Sequence, residues 1–165
     1  MFTLFNVISS DGFIARPDGV EDFIPDDLWI NFLNLCEKYG VFVMGRKTYE
    51  AIQTYTDNLL VPFEKTTFKK IVLTQNINFK AKEGYEVFCD FHQAVSMYPD
   101  ALVASGPTLN NFLLANHLVK KIIFHRVPES IGDGIRPFDE KLVSLVPLEN
   151  VAQLDGVTVL EYEVK

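Results

Sequence analysis

Cysteine is scarce in this sequence: Cys36 and Cys89 are the only two among 165 residues. That excludes a disulfide framework, and the pair lacks metal-ligand spacing, so both read as reduced thiols of a cytoplasmic protein. Long hydrophobic runs are missing as well, with no stretch near the roughly 20 apolar residues of a membrane helix. Met1 to Ser9 has no basic residue ahead of its apolar part, so it reads as a first strand and not as a leader peptide. Positive charge is in deficit, with 15 Lys and Arg against 22 Asp and Glu and a net charge of −7. Nucleic acid, whose phosphates attract basic stripes, is thereby disfavoured as the main partner. A small anionic ligand stays open, because a phosphate needs only a few local donors. His92, His117 and His125 share no ligand spacing, which predicts no metal site. Repeats, low-complexity tracts and dividing linkers are absent too, which predicts one domain over residues 1–165.

What is present is apolar and aromatic. Apolar residues make up 48% of the chain and 14 residues are Phe, enough for a core that buries about two-thirds of the unfolded surface. Met1 to Ser9 has strand composition, Ser10-Asp11-Gly12 is a turn, and Phe13 to Ile24 is a loop tipped by Pro17-Asp18-Gly19. A helix starts at Pro25-Asp26, carries Leu28, Trp29, Phe32, Leu33 and Leu35 at helical spacing, and ends at Tyr39-Gly40. Val41 to Met44 reads as a strand buried on both faces, and Lys47 to Thr54 as a helix. Strands Lys70 to Thr74 and Tyr85 to Cys89, helix Phe91 to Met97, strand Ala101 to Ala104, helix Leu109 to Ala115 and strand Lys120 to His125 follow. Lys141 to Gln153 and Val157 to Val164 read as two strands joined at Asp155-Gly156. This order predicts a three-layer α/β fold whose mixed, mainly parallel sheet ends in an antiparallel hairpin. Lys69-Lys70 and Lys120-Lys121 read as solvated strand ends, and Gly132-Asp133-Gly134 as a turn.

Covered parallel sheets bind ligands beyond the carboxyl ends of their strands, where helix N-termini converge. Two segments run from strand to helix in that way. In Met44-Gly45-Arg46-Lys47-Thr48-Tyr49-Glu50 the glycine allows close approach, Arg46 and Lys47 supply charge, and Thr48 and first-turn amides can donate to a phosphate. In Val103-Ala104-Ser105-Gly106-Pro107-Thr108-Leu109 small residues would admit a pyrophosphate, and Pro107 suits a first helical turn. Either segment alone is most simply a tight turn. Neither has the spaced-glycine dinucleotide fingerprint or the Walker loop.

Together, and in this order, they give the sequence a resemblance to the dihydrofolate-reductase-like superfamily. The likeness is to the reductase domain of bacterial bifunctional riboflavin-biosynthesis enzymes, as a stand-alone member. It spans nearly the whole chain. It rests on Ser9 to Ala15, Val43 to Glu50, Ile71-Val72-Leu73-Thr74, Ser105-Gly106 with Leu109 and Leu113-Leu114, Leu118-Val119, and Pro128 to Phe138 with Gly132 and Gly134. The Gly-Arg-Lys-Thr segment is its most specific part. The resemblance implies an NADP(H)-dependent oxidoreductase, a homodimer, that passes hydride to a small heterocyclic substrate, similar to 5-amino-6-(5-phosphoribosylamino)uracil reductase. Gly45, Arg46, Lys47 and Thr48 would hold cofactor phosphates, including the 2′-phosphate. Thr74 and Gln75 would lie beside the adenosine ribose, Ser105 and Gly106 would line the pyrophosphate with Thr108 in the same turn, and Ala15 would touch the nicotinamide end.

Asp26 and Asp27 open the helix that carries the substrate acid in folate reductases. Asp26 reads as a cap, Asp27 as the substrate contact, and Asp11 as a turn former. The sequence also departs from its relatives. Ser105 replaces the first of two glycines, Phe13 stands where a Lys is usual, Lys120-Lys121 replace an acidic pair, and the zinc deaminase half is lacking. Two further readings therefore stand beside the reductase. One is a nucleotide-binding protein without turnover. The other is a dihydrofolate reductase proper, against which count the missing Pro-Trp loop and the register of the helix acid.

Overall fold

The computed structural model describes residues 1–148, 152–154 and 156–165. Its backbone divides into two compact units, Met1–Phe2 with Asp26–Ala104, and Thr3–Pro25 with Ser105–Lys165.

The first unit is built on continuous apolar runs. β2 (Val41–Gly45), β3 (Lys69–Leu73), β4 (Tyr85–Phe88) and β5 (Leu102–Val103) lie in the order β4-β3-β2-β5, every pair parallel. Val43, Ile71 and Val72 are fully buried, as strands covered on both faces require. α1 (Leu28–Tyr39) buries Leu28, Phe32, Leu33 and Cys36 along one stripe. It stops at Gly40, whose φ of 70° lets its N–H reach the carbonyls of Cys36 and Glu37, a conformation costly for any residue with a Cβ. α2 (Arg46–Ile52) starts one residue earlier than the sequence suggests. α3 (Asp57–Glu64) was not foreseen: Pro62 sits inside it and only Phe63 is buried, so the helical pattern is weak. Trp29 ties α1 to α3 by donating from Nε1 to the Leu59 carbonyl at 3.0 Å. α4 (Phe91–Met97) is capped by the Asp90 side chain, which accepts from the Gln93 N–H.

Lys70 corrects the reading of a solvated strand end. It lies within β3 at 5% exposure. Its Nζ sits 5.4 Å from the Phe63 ring and 4.8 Å from that of Phe68, and donates to the Thr66 carbonyl. Burial pushes its amine below the ordinary lysine range. Aromatic faces offset part of the cost of burying the cation.

In the second unit the order is β1-β6-β9-β7, from β1 (Phe2–Ile8), β6 (Val119–Arg126), β7 (Leu145–Pro147) and β9 (Val157–Val164), with β8 (Ala152–Leu154) also on β9. β9 pairs antiparallel with β6, β7 and β8. The hairpin expected at the C-terminus is therefore present, with Leu154 opposite Val157. Asp155 of its turn, and Glu149, Asn150 and Val151 of the expected long strand, lie outside the described residues. That strand does not begin at Lys141. Asp139 accepts from the Lys141 N–H and starts a short 3-10 helix, Glu140–Leu142. Lys120 and Lys121 lie inside β6, and Lys121 pairs with Glu161 across the strands at 2.8 Å. α5 (Pro107–Ala115) begins two residues ahead of expectation because Pro107 takes its first position.

The fold is α/β, parallel in the first unit and antiparallel in the second where β9 pairs with β6, β7 and β8. No helix among the described residues is long and apolar enough to cross a membrane.

Candidate functional site

In the first unit the register brings the motif residues to one level. Gly45 pairs with Leu73, so Arg46 and Thr74 leave the carboxyl ends of adjacent parallel strands side by side. Gly45 is extended and serves as N-cap of α2 with no side-chain cap. Lys47 is exposed with no partner among the described residues, while Thr48 is half-buried. Arg46 donates to the Glu50 carboxylate at 2.7 Å, both side chains being well exposed. Such i,i+4 pairs contribute about 0.3–0.5 kcal/mol. Glu50→Gln is therefore expected to leave the melting temperature within about 2 °C of wild type. The same change should tighten binding of a phosphate ligand about two-fold, measured by calorimetry.

The loop after β3 is braced from behind. The Thr74 hydroxyl accepts from the Asn76 N–H at 3.1 Å, and Gln75 is exposed. The Tyr49 hydroxyl, on α2, accepts from the Lys82 N–H at 3.0 Å, and its ring meets Phe79 and Tyr85 edge-on. Gln53 donates to the Tyr85 hydroxyl, which donates to Glu64, which also pairs with Lys82 at 2.8 Å. Burial alone would raise the Glu64 carboxyl, but the bonds from Lys82 and Tyr85 outweigh it and hold it below the usual range. Burial and the negative Glu64 push the Tyr85 phenol up. Residues far apart in sequence make this brace, so no local pattern announces it.

The second unit holds the other expected residues. The Ser105 carbonyl accepts from Asn6 Nδ2 and from Asn110 Nδ2, each at 3.0 Å. Asn110 is fully buried and its Nδ2 also faces Asn6 Oδ1 and the Pro137 carbonyl, whereas its Oδ1 has no partner. These asparagines fix the Ser105-Gly106 backbone and were not foreseen, since a lone Asn in an apolar helix carries no motif. Gly106 caps α5 in an extended conformation, and a Cβ there would meet nothing within 4 Å. The fold itself therefore does not demand glycine at this position. Thr108 is exposed.

Ala15 is buried at 4% exposure. Its carbonyl accepts from the Ile135 N–H, and the Ile14 N–H donates to the Ile135 carbonyl, both at 2.8 Å. Asp11 is the turn former expected of it. Its carboxylate accepts from the Ser9 and Ser130 hydroxyls and from the Ile131 and Gly132 amides. The Ser9 bond above all, helped by the other three and opposed by desolvation, holds the carboxyl far below its ordinary range. Phe13, in the same clasp, lies under the Arg136 guanidinium at 4.4 Å. Asp27, in the first unit, occupies the N-cap position of α1, is exposed and makes no side-chain cap. Among the described residues no cluster of His, Cys, Asp and Glu could hold a metal. His125 is buried with its Nδ1 unpartnered, and burial lowers its pKa.

No protein-family model matches the chain. No curated protein matches it either. Solved structures do. A Shewanella sp. PV-4 protein provisionally assigned to riboflavin biosynthesis is similar at TM-score 0.72 and 21% identity, over 99% of this chain and 98% of that one. The Thermotoga maritima diaminohydroxyphosphoribosylaminopyrimidine deaminase/5-amino-6-(5-phosphoribosylamino)uracil reductase is similar at TM-score 0.69 and 17% identity; all of this chain matches 56% of it. Enterococcus faecalis dihydrofolate reductase, complexed with NADP(H) and RAB-propyl, is similar at TM-score 0.63 and 19% identity, over 99% of this chain and 94% of that one. The chain has the fold of dihydrofolate reductase and of the riboflavin-biosynthesis reductases.

Proposed function

We propose that the protein is an NADPH-dependent reductase of a small heterocyclic substrate, of the kind used in riboflavin biosynthesis. The observation that carries this reading is the basic turn Gly45-Arg46-Lys47-Thr48 beside Thr74 at the ends of adjacent parallel strands. Within the first unit, Lys47 with its unpaired charge and Arg46 after release from Glu50 would hold the 2′-phosphate, with Thr48 as a further donor. Thr74 and Gln75 would face the adenosine ribose. Within the second unit, Ser105, Gly106 and Thr108 would receive the pyrophosphate on a backbone stiffened by Asn6 and Asn110. The bound cofactor supplies the hydride; the protein binds and orients it.

A reading without turnover draws support from Ser105, Phe13 and Lys120-Lys121, which stand where the resembled reductases carry Gly, Lys and an acidic pair. A folate reductase proper would bind methotrexate.

Calorimetric titration tests the proposal. Wild type is expected to bind NADPH at least about tenfold tighter than NADH. Arg46→Ala and Lys47→Ala should each lose about tenfold in NADPH affinity, since each removes a charge-assisted contact, and roughly 100-fold together. Failure of both dinucleotides to bind wild type would overturn the reductase reading. Tight NADPH binding with no oxidation of it by any pyrimidine or pteridine substrate would favour the non-catalytic one.

A further inference from the structure

Arg136 stands on the wall of two cavities in the second unit. One, of about 310 Å³, is largely aromatic and aliphatic, with Phe124, Phe138 and Tyr162 among its walls and Glu140 lining it as well. The other is a shallow depression of about 540 Å³, open to solvent and charged, with Asp139, Glu140 and Lys141 beside Arg136 and Pro107. Both volumes suit a small molecule. The aromatic walls are ordered by the sheet. Tyr162 pairs with Ile122 and Leu160 with Phe124, so Phe124 and Tyr162 are diagonal neighbours on one face. Their rings lie 6.0 Å apart, and Phe138 stacks on Phe124 at 6.1 Å with a tilt of 23°.

The guanidinium is held ready. It lies 4.4 Å above the Phe13 ring, and its single hydrogen bond among the described residues runs to the Asp11 carbonyl at 3.2 Å. An arginine has five N–H donors in a rigid fork, so most remain for a ligand. The acids nearby compete poorly. Asp139 and Glu140 are both exposed to water; Asp139 accepts from the Lys141 N–H, and Glu140 is 4.0 Å from Arg136, beyond hydrogen-bond distance. The Lys141 ammonium has no partner among the described residues.

We infer that the two cavities form one binding site for a small aromatic anion. Its ring lies among Phe124, Phe138 and Tyr162, and its charged group bonds to Arg136 with Lys141 alongside. An aromatic cation would have to rely on the solvated carboxylates of Glu140 and Asp139, with Arg136, which rests on the Phe13 ring, repelling it. The inference does not depend on the cofactor, so its test is run without NADPH.

The probe is phenyl phosphate, titrated by calorimetry beside inorganic phosphate, phenol and benzylamine. Phenyl phosphate is expected to bind at least about tenfold tighter than either of its halves, and benzylamine weakest. Arg136→Ala should lose about tenfold or more, Lys141→Ala about threefold, and Glu140→Gln should gain about twofold. Lys141 and Glu140 are exposed, so those two variants decide the matter even where Arg136→Ala loosens the Phe13 clasp. Unchanged phenyl phosphate affinity in Arg136→Ala and Lys141→Ala would overturn the inference. So would a preference for benzylamine, weaker binding in Glu140→Gln, or no binding of phenyl phosphate at millimolar concentration.

Discussion

Asp11→Ala is expected to lower the melting temperature by roughly 5–10 °C near neutral pH. Asp11 joins two segments distant in sequence, accepting from Ser9 on its own turn and from Ser130, Ile131 and Gly132 across the clasp. Alanine would leave the hydroxyl and amide donors without their acceptor, and unmade bonds at a partly buried turn cost more than made ones contribute. The pH dependence has a definite sign. The folded-state pKa of Asp11 is depressed, so its contribution is present above the unfolded value of about 3.9 and is lost as the pH falls through the folded value. The difference in melting temperature between wild type and Asp11→Ala should be full near pH 6 and shrink steadily below about pH 4. A melting temperature within about 2 °C of wild type would show that Asp11 does not secure the clasp. A gap that stays constant down to acid pH would show that it acts without its charge.

Gly134→Ala should cost about 3 kcal/mol, seen as a lower denaturant midpoint at unchanged slope. A Cβ at Gly134 would stand 2.3 Å from the Ala15 carbonyl oxygen, 3.0 Å from Phe13 Cβ and 3.1 Å from Ile131 Cδ1. The first of these is a backbone atom already fixed by the Ile135 N–H at 2.8 Å. Relief therefore requires opening the bridge between Ala15 and Ile135, and a rotamer change cannot provide it. The control is Gly106→Ala, whose Cβ would enter open space. It should unfold within about 0.5 kcal/mol of wild type. Should the proposed pyrophosphate contact be right, the same variant would weaken NADPH binding without loss of stability. Equal stability of Gly134→Ala and wild type would mean that the 13–15 and 131–135 segments separate more readily than their hydrogen bonds indicate.

Both predictions concern a clasp that the sequence hinted at only in pieces. Asp11 was legible as a turn former because Ser-Asp-Gly is a local signal. That its carboxylate also grips residues 130–132 was not, because nothing in either segment specifies the other. Lys70 shows the same limit from the opposite side. Two adjacent lysines before an apolar run look solvated, yet Phe63 and Phe68, from a helix and a loop, enclose the second one.

By itself the sequence determined the alternation of strands and helices, the Gly40 helix stop, the C-terminal hairpin and the position of the Gly45-Arg46-Lys47-Thr48 turn. Each depends on interactions within a few residues: apolar periodicity, left-handed glycine, or a break between strand and helix. α3 escaped because Pro62 weakens the local pattern and because its one buried side chain, Phe63, gains its environment from elsewhere. Only the tertiary structure decided that Lys70 lies between Phe63 and Phe68, that Asn6 and Asn110 hold the Ser105 carbonyl, and that Arg136 lies over Phe13. It also decided that Asp27 faces solvent. Hydrogen-bond partners and burial are set by which segments pack together, and residues such as Asn6 and Asn110, or Phe13 and Arg136, meet only after the chain has folded.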